Sequence, residues 1–193
     1  MEYSRIAPIM GRLWSPIAAV TSHWQGKSNA QIAVAIAAAS IVPDMPRVLL
    51  QIYKTNYSHD LIYNSGSFAL NFLRQDQLEL INDFGLVSGR DRDKLLGVAH
   101  APRATGSPVL DDCWGFLDCR VVNAMDGGDM TCFLGDVLDG ETLSQAEPLY
   151  WRDARREIPA AWNEEWDRKI SGEIEVSKRR MPNLDFKPWQ PKA

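Results

Sequence analysis

The chain has 193 residues, 45% hydrophobic and 24% charged, enough for one globular domain with a sizeable core. A net charge of −4 argues against nucleic acid as the main partner, because phosphate neutralisation needs a basic face; the short Lys178-Arg179-Arg180 run reads as a solvated tail. Three cysteines without metal-ligand spacing, no charged and apolar leader, and an apolar run (Ile32 to Val42) shorter than the about 20 residues of a membrane span together predict a cytoplasmic protein with reduced thiols and no membrane partner.

Met1 to Gly11 has little pattern and reads as a lead-in. Ile17 to Thr21 predicts a strand, followed by the polar turn Gln25 to Asn29. Asn29 to Ser40 is ambiguous: its alanines favour helix, while Ile32, Val34 and Ile36 alternate at period two. The first half is expected to be strand and the second half stays open. Pro43 and Pro46 bracket a turn, and Arg47 to Tyr53 carries the buried-strand run VLLQI. Ser58 to Asn64 predicts a short helix, with Ser58 as its cap, Asp60 in the first turn and Gly66 as its stop. Phe68, Leu70 and Phe72 alternate as in a half-buried strand.

Leu78 to Phe84 and Asp93 to Leu96 read as helical, and a loop with Pro102, Gly106 and Pro108 follows. Phe116 to Met125 and Met130 to Leu138 are predicted strands joined by Asp126-Gly127-Gly128-Asp129, a strong hairpin signal; Asp139-Gly140 is expected to end the second strand. Beyond Tyr150 the chain is polar yet carries Trp151, Trp162, Trp166 and Trp189, which suggests packing across a subunit interface. Short strands outnumber helices, so an antiparallel barrel with a few helices is the economical architecture.

One spot carries chemistry. Lys54, Asn56 and Ser58 stand just ahead of the short helix, where unsatisfied backbone N–H groups and the helix dipole favour an anion such as a phosphate. The competing reading is a plain cap by Ser58, with Lys54 in water. His23, His59 and His100 are scattered without a metal pattern and read as structural or solvent-facing.

The order of motifs decides between the two readings. Thr21-Ser22, Gly26-Lys27-Ser28-Asn29, Ser40 ahead of Pro43 and Pro46, Asn56-Tyr57-Ser58, and Ser65-Gly66-Ser67-Phe68 with Asn71 come in series. They continue with Asp93 to Val98, Gly106-Ser107-Pro108, LDCRV from Leu117, GDMTCFLGDVL from Gly128 and PLYW from Pro148. This series resembles the flavin reductase-like family of FMN-binding split β-barrels. The resemblance implies a mainly β fold, an antiparallel six-stranded Greek-key barrel with peripheral helices over residues 1–152. Residues 153–193 would then form an extension packing at the interface of a homodimer.

It also implies FMN as cofactor, NAD(P)H as co-substrate, and electrons passed to an acceptor or a partner oxygenase. Carried over by position, Thr21, Ser22, Asn29, Gln31, Ile32 and Ala33 would line the flavin and its ribityl chain. Lys54, Asn56, Tyr57 and Ser58 would hold the phosphate. No side chain is assigned an acid or base role.

Two departures matter. Ile32 and Val34 stand where members often carry hydroxyls, and Met130 follows Gly128-Asp129 where many reductases carry a histidine that seats the nicotinamide. A thioether neither carries charge nor donates a hydrogen bond. Met130 therefore keeps open an FMN-binding electron carrier reduced by a protein donor. The apolar pair Ile32 and Val34 keeps open a split barrel that holds haem or another planar ligand.

Overall fold

The computed structural model describes residues 2–190. Seven antiparallel strands form one sheet in the order β2-β1-β5-β8-β9-β4-β3. These are β1 (Ala18–Trp24), β2 (Lys27–Ala33), β3 (Ile36–Ala38), β4 (Arg47–Tyr53), β5 (Ser67–Phe72), β8 (Gly115–Asp126) and β9 (Met130–Thr142). β6 (His100–Pro102) and β7 (Pro108–Leu110) form a separate two-stranded ladder.

The sheet curls because its core demands it. Ala18 and Val20 of β1, Leu50 and Ile52 of β4, Phe68 and Leu70 of β5 and Phe133 of β9 share one buried apolar cluster. Strands so far apart in the sheet order reach a common interior only if the sheet wraps around it. Two register shifts in the β8–β9 hairpin, at Asp118/Cys119 and Val121/Asn123, add the local twist that bulges supply. Burying a side chain the size of Phe133, fully covered here, stabilises by roughly 1.5–3 kcal/mol.

A second apolar cluster lies on the outer face of β1, β2 and β5, where Ile17, Ala19, Ala30 and Ala69 meet Phe84, Leu110 and Leu149. The helices lie around these layers: α1 (Ala7–Met10), α2 (Tyr57–Ser65), α3 (Glu79–Ile81) running on as a π-turn (Asn82–Leu86), α4 (Trp151–Glu157) and α5 (Ala160–Arg180). Trp151, Trp162 and Trp166 of α4 and α5 pack against this outer cluster of their own chain, and the Trp151 and Trp166 rings meet at a tilt of 49° with centres 4.5 Å apart. Trp189 joins the inner cluster and donates its indole N–H to Tyr63 O at 3.2 Å. Lys178, Arg179 and Arg180 form the last turn of α5, where cations suit the helix dipole.

The mainly β barrel with peripheral helices is as expected, with seven strands in place of six. The VLLQI strand, the Asp-Gly-Gly-Asp hairpin and the helix stop at Gly66 stand where expected; Gly66 takes the left-handed conformation, φ 70°. Ser58 does not cap α2. Asn56 is the extended residue ahead of the helix, and Ser58 lies inside the first turn, fully buried.

β5 is covered on both faces, not half-buried, because it is a central strand between β1 and β8 with clusters on either side. Asp139-Gly140 does not end β9, which runs on to Thr142. Glycine is needed there for close approach, since a Cβ on Gly140 would meet the backbone oxygen of Phe116 at 2.9 Å. Asp93 to Leu96 is not helical: Asp93 Oδ1 accepts the Leu95 N–H at 3.0 Å, a local bond that competes with helix.

Candidate functional site

β2 is the edge of the sheet, and its free side faces a cavity of about 510 Å³. In the β1–β2 ladder, Ser22, Val20 and Ala18 pair with Asn29, Gln31 and Ala33. Antiparallel alternation then turns the backbone groups of Ala30 and Ile32 outward. The outward direction of the Ala30 carbonyl is visible in its bond from Lys94 Nζ at 2.9 Å.

The cavity is walled by β2, by the start of α2, by the segment Phe84–Asp91 and by α5, which contributes Glu165, Trp166, Lys169 and Glu173 among others. Close contacts shape it. A Cβ on Gly89 would collide with Asn29 Oδ1, and one on Gly85 would collide with Trp166 Cζ3. Only glycine lets the loop lie on Asn29 and the indole lie on the π-turn.

Of the residues singled out by sequence, Asn29, Gln31, Ile32, Asn56 and Tyr57 line this one cavity. Ser58 sits just behind it, accepting from Asn29 Nδ2 at 2.8 Å. Ser22 is buried opposite Asn29 in the ladder. Asn29 Oδ1, Gln31 Oε1 and Ser22 Oγ are buried without a hydrogen-bond partner among the described residues. Orphaned acceptors of this kind are rare in folded proteins and mark a place where a ligand's donors fit.

Three others lie elsewhere. Thr21 bonds away from the cavity, donating to Pro108 O and accepting from Asn71 Nδ2 at 3.1 Å. Ala33 packs into the inner core. Lys54 Nζ is paired with Asp126 at 2.6 Å, in a separate small cavity with His59, Tyr63 and Trp189.

The cation at the head of α2 is instead Arg90. Its guanidinium lies 5.2 Å from the Tyr57 ring centre, donates to Thr55 O at 3.1 Å and pairs with Asp60 at 2.7 Å. Asn56 makes no side-chain bond to its own helix and faces the cavity, so the helix start, Asn56 and Arg90 form an anion-favouring corner. Arg90 stands in a run that reads as a polar spacer, with no local signal of its role.

Lys94 is buried on the cavity wall; desolvation, then Lys169 and Arg92, pull its pKa down from 10.5 to about 7. Burial raises the Glu173 carboxyl, and burial with Asp129 and Glu173 raises the Tyr53 phenol. Among the described residues no cluster of three His, Cys, Asp or Glu could hold a metal ion, and no helix is long and apolar enough to cross a membrane.

The donor set fits a flavin nucleotide. A flat ring has an exposed strand edge to approach, buried acceptors await hydroxyl or N–H donors, and the volume falls in the range of cofactor pockets. Comparison with known proteins agrees. Residues 10–159 match the family model described as "Flavin reductase like domain".

The chain is 30% identical over 142 residues to the high molecular weight rubredoxin of Moorella thermoacetica, covering 71% of this chain and 61% of that protein. It is 31% identical over 136 residues to a ferric-chelate reductase (NAD(P)H) of Archaeoglobus fulgidus, covering 69% and 79%. The solved structure of nitrilotriacetate monooxygenase component B from Mycobacterium thermoresistibile superposes with a TM-score of 0.66 at 26% identity, over 82% of this chain and 90% of that one. The curled sheet is thus a split barrel of the kind found in FMN-binding proteins. With its barrel and most of its length matched, the chain belongs to the flavin reductase like domain family.

Proposed function

We propose that this chain binds FMN in the cavity between β2 and α5 and acts as an NAD(P)H-dependent flavin reductase, passing electrons to an acceptor or a partner oxygenase. The observation that carries the reading is the edge of β2, where outward backbone groups at Ala30 and Ile32 stand beside the orphaned oxygens of Asn29 and Gln31. Two relatives point the same way: one is by name an NAD(P)H reductase, the other a monooxygenase component.

Bound FMN supplies hydride acceptance from a nicotinamide and onward electron transfer. The chain's own residues hold and shield it. The edge of β2 would bond the ring, and Asn29 Oδ1 and Gln31 Oε1 would accept from ring or ribityl donors. Ser58 fixes the Asn29 amide by accepting from its Nδ2 at 2.8 Å. Arg90, Asn56 and the first N–H groups of α2 would hold the phosphate. Phe84 and Trp166 exclude water from one side. Orientation and charge are the protein's contributions, so no side chain is assigned as acid or base.

Fluorescence quenching tests the placement. FMN should bind the protein, and Gln31→Leu together with Asn29→Leu should weaken both FMN and riboflavin. Full affinity in that double variant would put the ring elsewhere.

A second reading, an FMN-binding electron carrier reduced by a protein donor, has its own support. Met130 pairs with Tyr53 at the start of β9. The adjoining hairpin tip is packed by the end of α5, where a Cβ on Gly128 would meet Met181 Cα at 2.8 Å. The corner that would receive a nicotinamide is therefore both stripped of histidine and covered. A homodimer accompanies either reading, supported by exposed Leu13, Trp14, Ile41, Val42 and Met45. Light scattering should give twice the chain mass, and a monomer would contradict it. A cytoplasmic location belongs to the same reading.

A further inference from the structure

Two lysines from distant segments converge on neighbouring carbonyls of the π-turn. Lys94, only 7% exposed, donates to Phe84 O at 2.7 Å and to Ala30 O, on the free edge of β2, at 2.9 Å. Lys169, reaching down from α5, donates to the next carbonyl, Gly85 O, with its ammonium 6.0 Å from the Trp166 ring centre. Both side chains line the cavity.

Among the described residues neither ammonium forms an ion pair; their bonds go to backbone carbonyls. The charges facing them are Arg92 on the loop of Lys94, and Glu165, Arg168 and Glu173 on α5. Arg90 and Asp91 complete the charged lining. Holding two cations so close with no carboxylate in ion-pair contact, although Glu173 acts on Lys169 from farther off, is electrostatically costly, and a pair of apolar side chains would tie the same elements together without that cost. The lowered pKa of Lys94, caused by burial and by Lys169, is the expression of that cost.

The arrangement becomes favourable beside a group that gains negative charge. Flavin becomes more negative on reduction, and fixed positive charge in a water-poor cavity favours the more negative of two forms. We infer that Lys94 and Lys169 together are the counter-charge for reduced flavin, so that the cavity holds the reduced form more tightly than the oxidised one. The inference rests on the reading that this cavity binds FMN. Lys94 and Lys169 act through charge and position, with no proton transfer to the ring required.

The test compares the wild type with Lys169→Met, Lys94→Met and Lys169→Arg at one pH just below the value of about 7 at which buried Lys94 loses its proton, so that both ammonium groups carry charge. Quenching gives the dissociation constant of oxidised FMN; an anaerobic titration against a reference dye gives the midpoint potential of the bound flavin. Each methionine variant should lower the preference for reduced over oxidised FMN about tenfold, a fall of about 30 mV for a two-electron couple. Lys169→Arg should keep the wild-type potential.

An unchanged potential in Lys169→Met overturns the inference, because a mere staple would weaken both redox forms equally and lower the melting temperature. If Lys94→Met does not fold, Lys169→Met decides alone, since its side chain lies on a half-buried helix face. A wild type that binds no FMN would sink the reading of the cavity and this inference with it. Tight FMN binding with an unmoved potential would sink only the inference.

Discussion

Replacing Lys94 by methionine should change how stability depends on pH, and the size of the change follows from burial. In the unfolded chain this amine titrates near 10.5; in the fold it titrates at about 7. Between those values the unfolded chain holds a proton that the folded one lacks. Unfolding free energy therefore rises with pH, by up to about 1.4 kcal/mol per pH unit from this group. Below the folded value both states are protonated and the full cost of burying the charge is present; above the unfolded value it is gone. Over the step from about pH 7 to about pH 8.5 Lys94 alone should add up to about 2 kcal/mol.

The window is chosen so that other groups stay quiet. Burial raises the thiol of Cys113 to about 11, and Cys119 is raised still further. In the unfolded chain both lose their protons near 9, so they oppose Lys94 only above the window. Urea unfolding followed by tryptophan fluorescence gives the free energies. Wild type should gain stability across the window, and Lys94→Met should be nearly flat. Parallel slopes in the two proteins would refute the assignment of a destabilised, buried amine.

Other outcomes follow from the same geometry. Arg90→Ala should weaken FMN about tenfold or more while leaving riboflavin nearly unchanged, because Arg90 is the cation at the head of α2; calorimetric titration of the two ligands checks it. Lys54→Ala should not discriminate between them, since Lys54 is held by Asp126 in another cavity. Asn71→Leu should cost about 2–4 kcal/mol, read from chemical denaturation. Its buried amide donates to Ala19 O and Thr21 Oγ1 and accepts the Leu110 N–H, so three partners lose their bond at once.

What could be read from the chain was local. The hairpin Asp126 to Asp129 is written in consecutive residues: Gly128 adopts φ 91° and its N–H bonds to Asp126 Oδ1 at 2.6 Å. The α2 stop at Gly66 and the apolar run of β4 are local in the same sense. The phosphate corner was legible as a place but not as a set of side chains. Asn56 and Tyr57 reach it, while the nearer cation in sequence, Lys54, is captured by Asp126, 72 residues away.

Arg90 arrives there from a loop whose composition says only turn, fixed by Thr55 and Asp60. Lys94 belongs to the Asp93 to Val98 motif, yet its importance comes from burial against β2 and from Lys169 on α5, contacts that no window of sequence contains. The late tryptophans signalled packing correctly, but composition does not distinguish a chain's own outer cluster from a partner's surface; Trp151 and Trp166 lie on their own barrel.

The central claim is that this cavity holds FMN and that a nicotinamide reduces it there. An anaerobic visible spectrum of the FMN-loaded, desalted protein, before and after NADH and then NADPH, tests it in one experiment. The account predicts a retained flavin band that bleaches with at least one of the two. A retained band untouched by both would contradict it and direct the search to a protein electron donor.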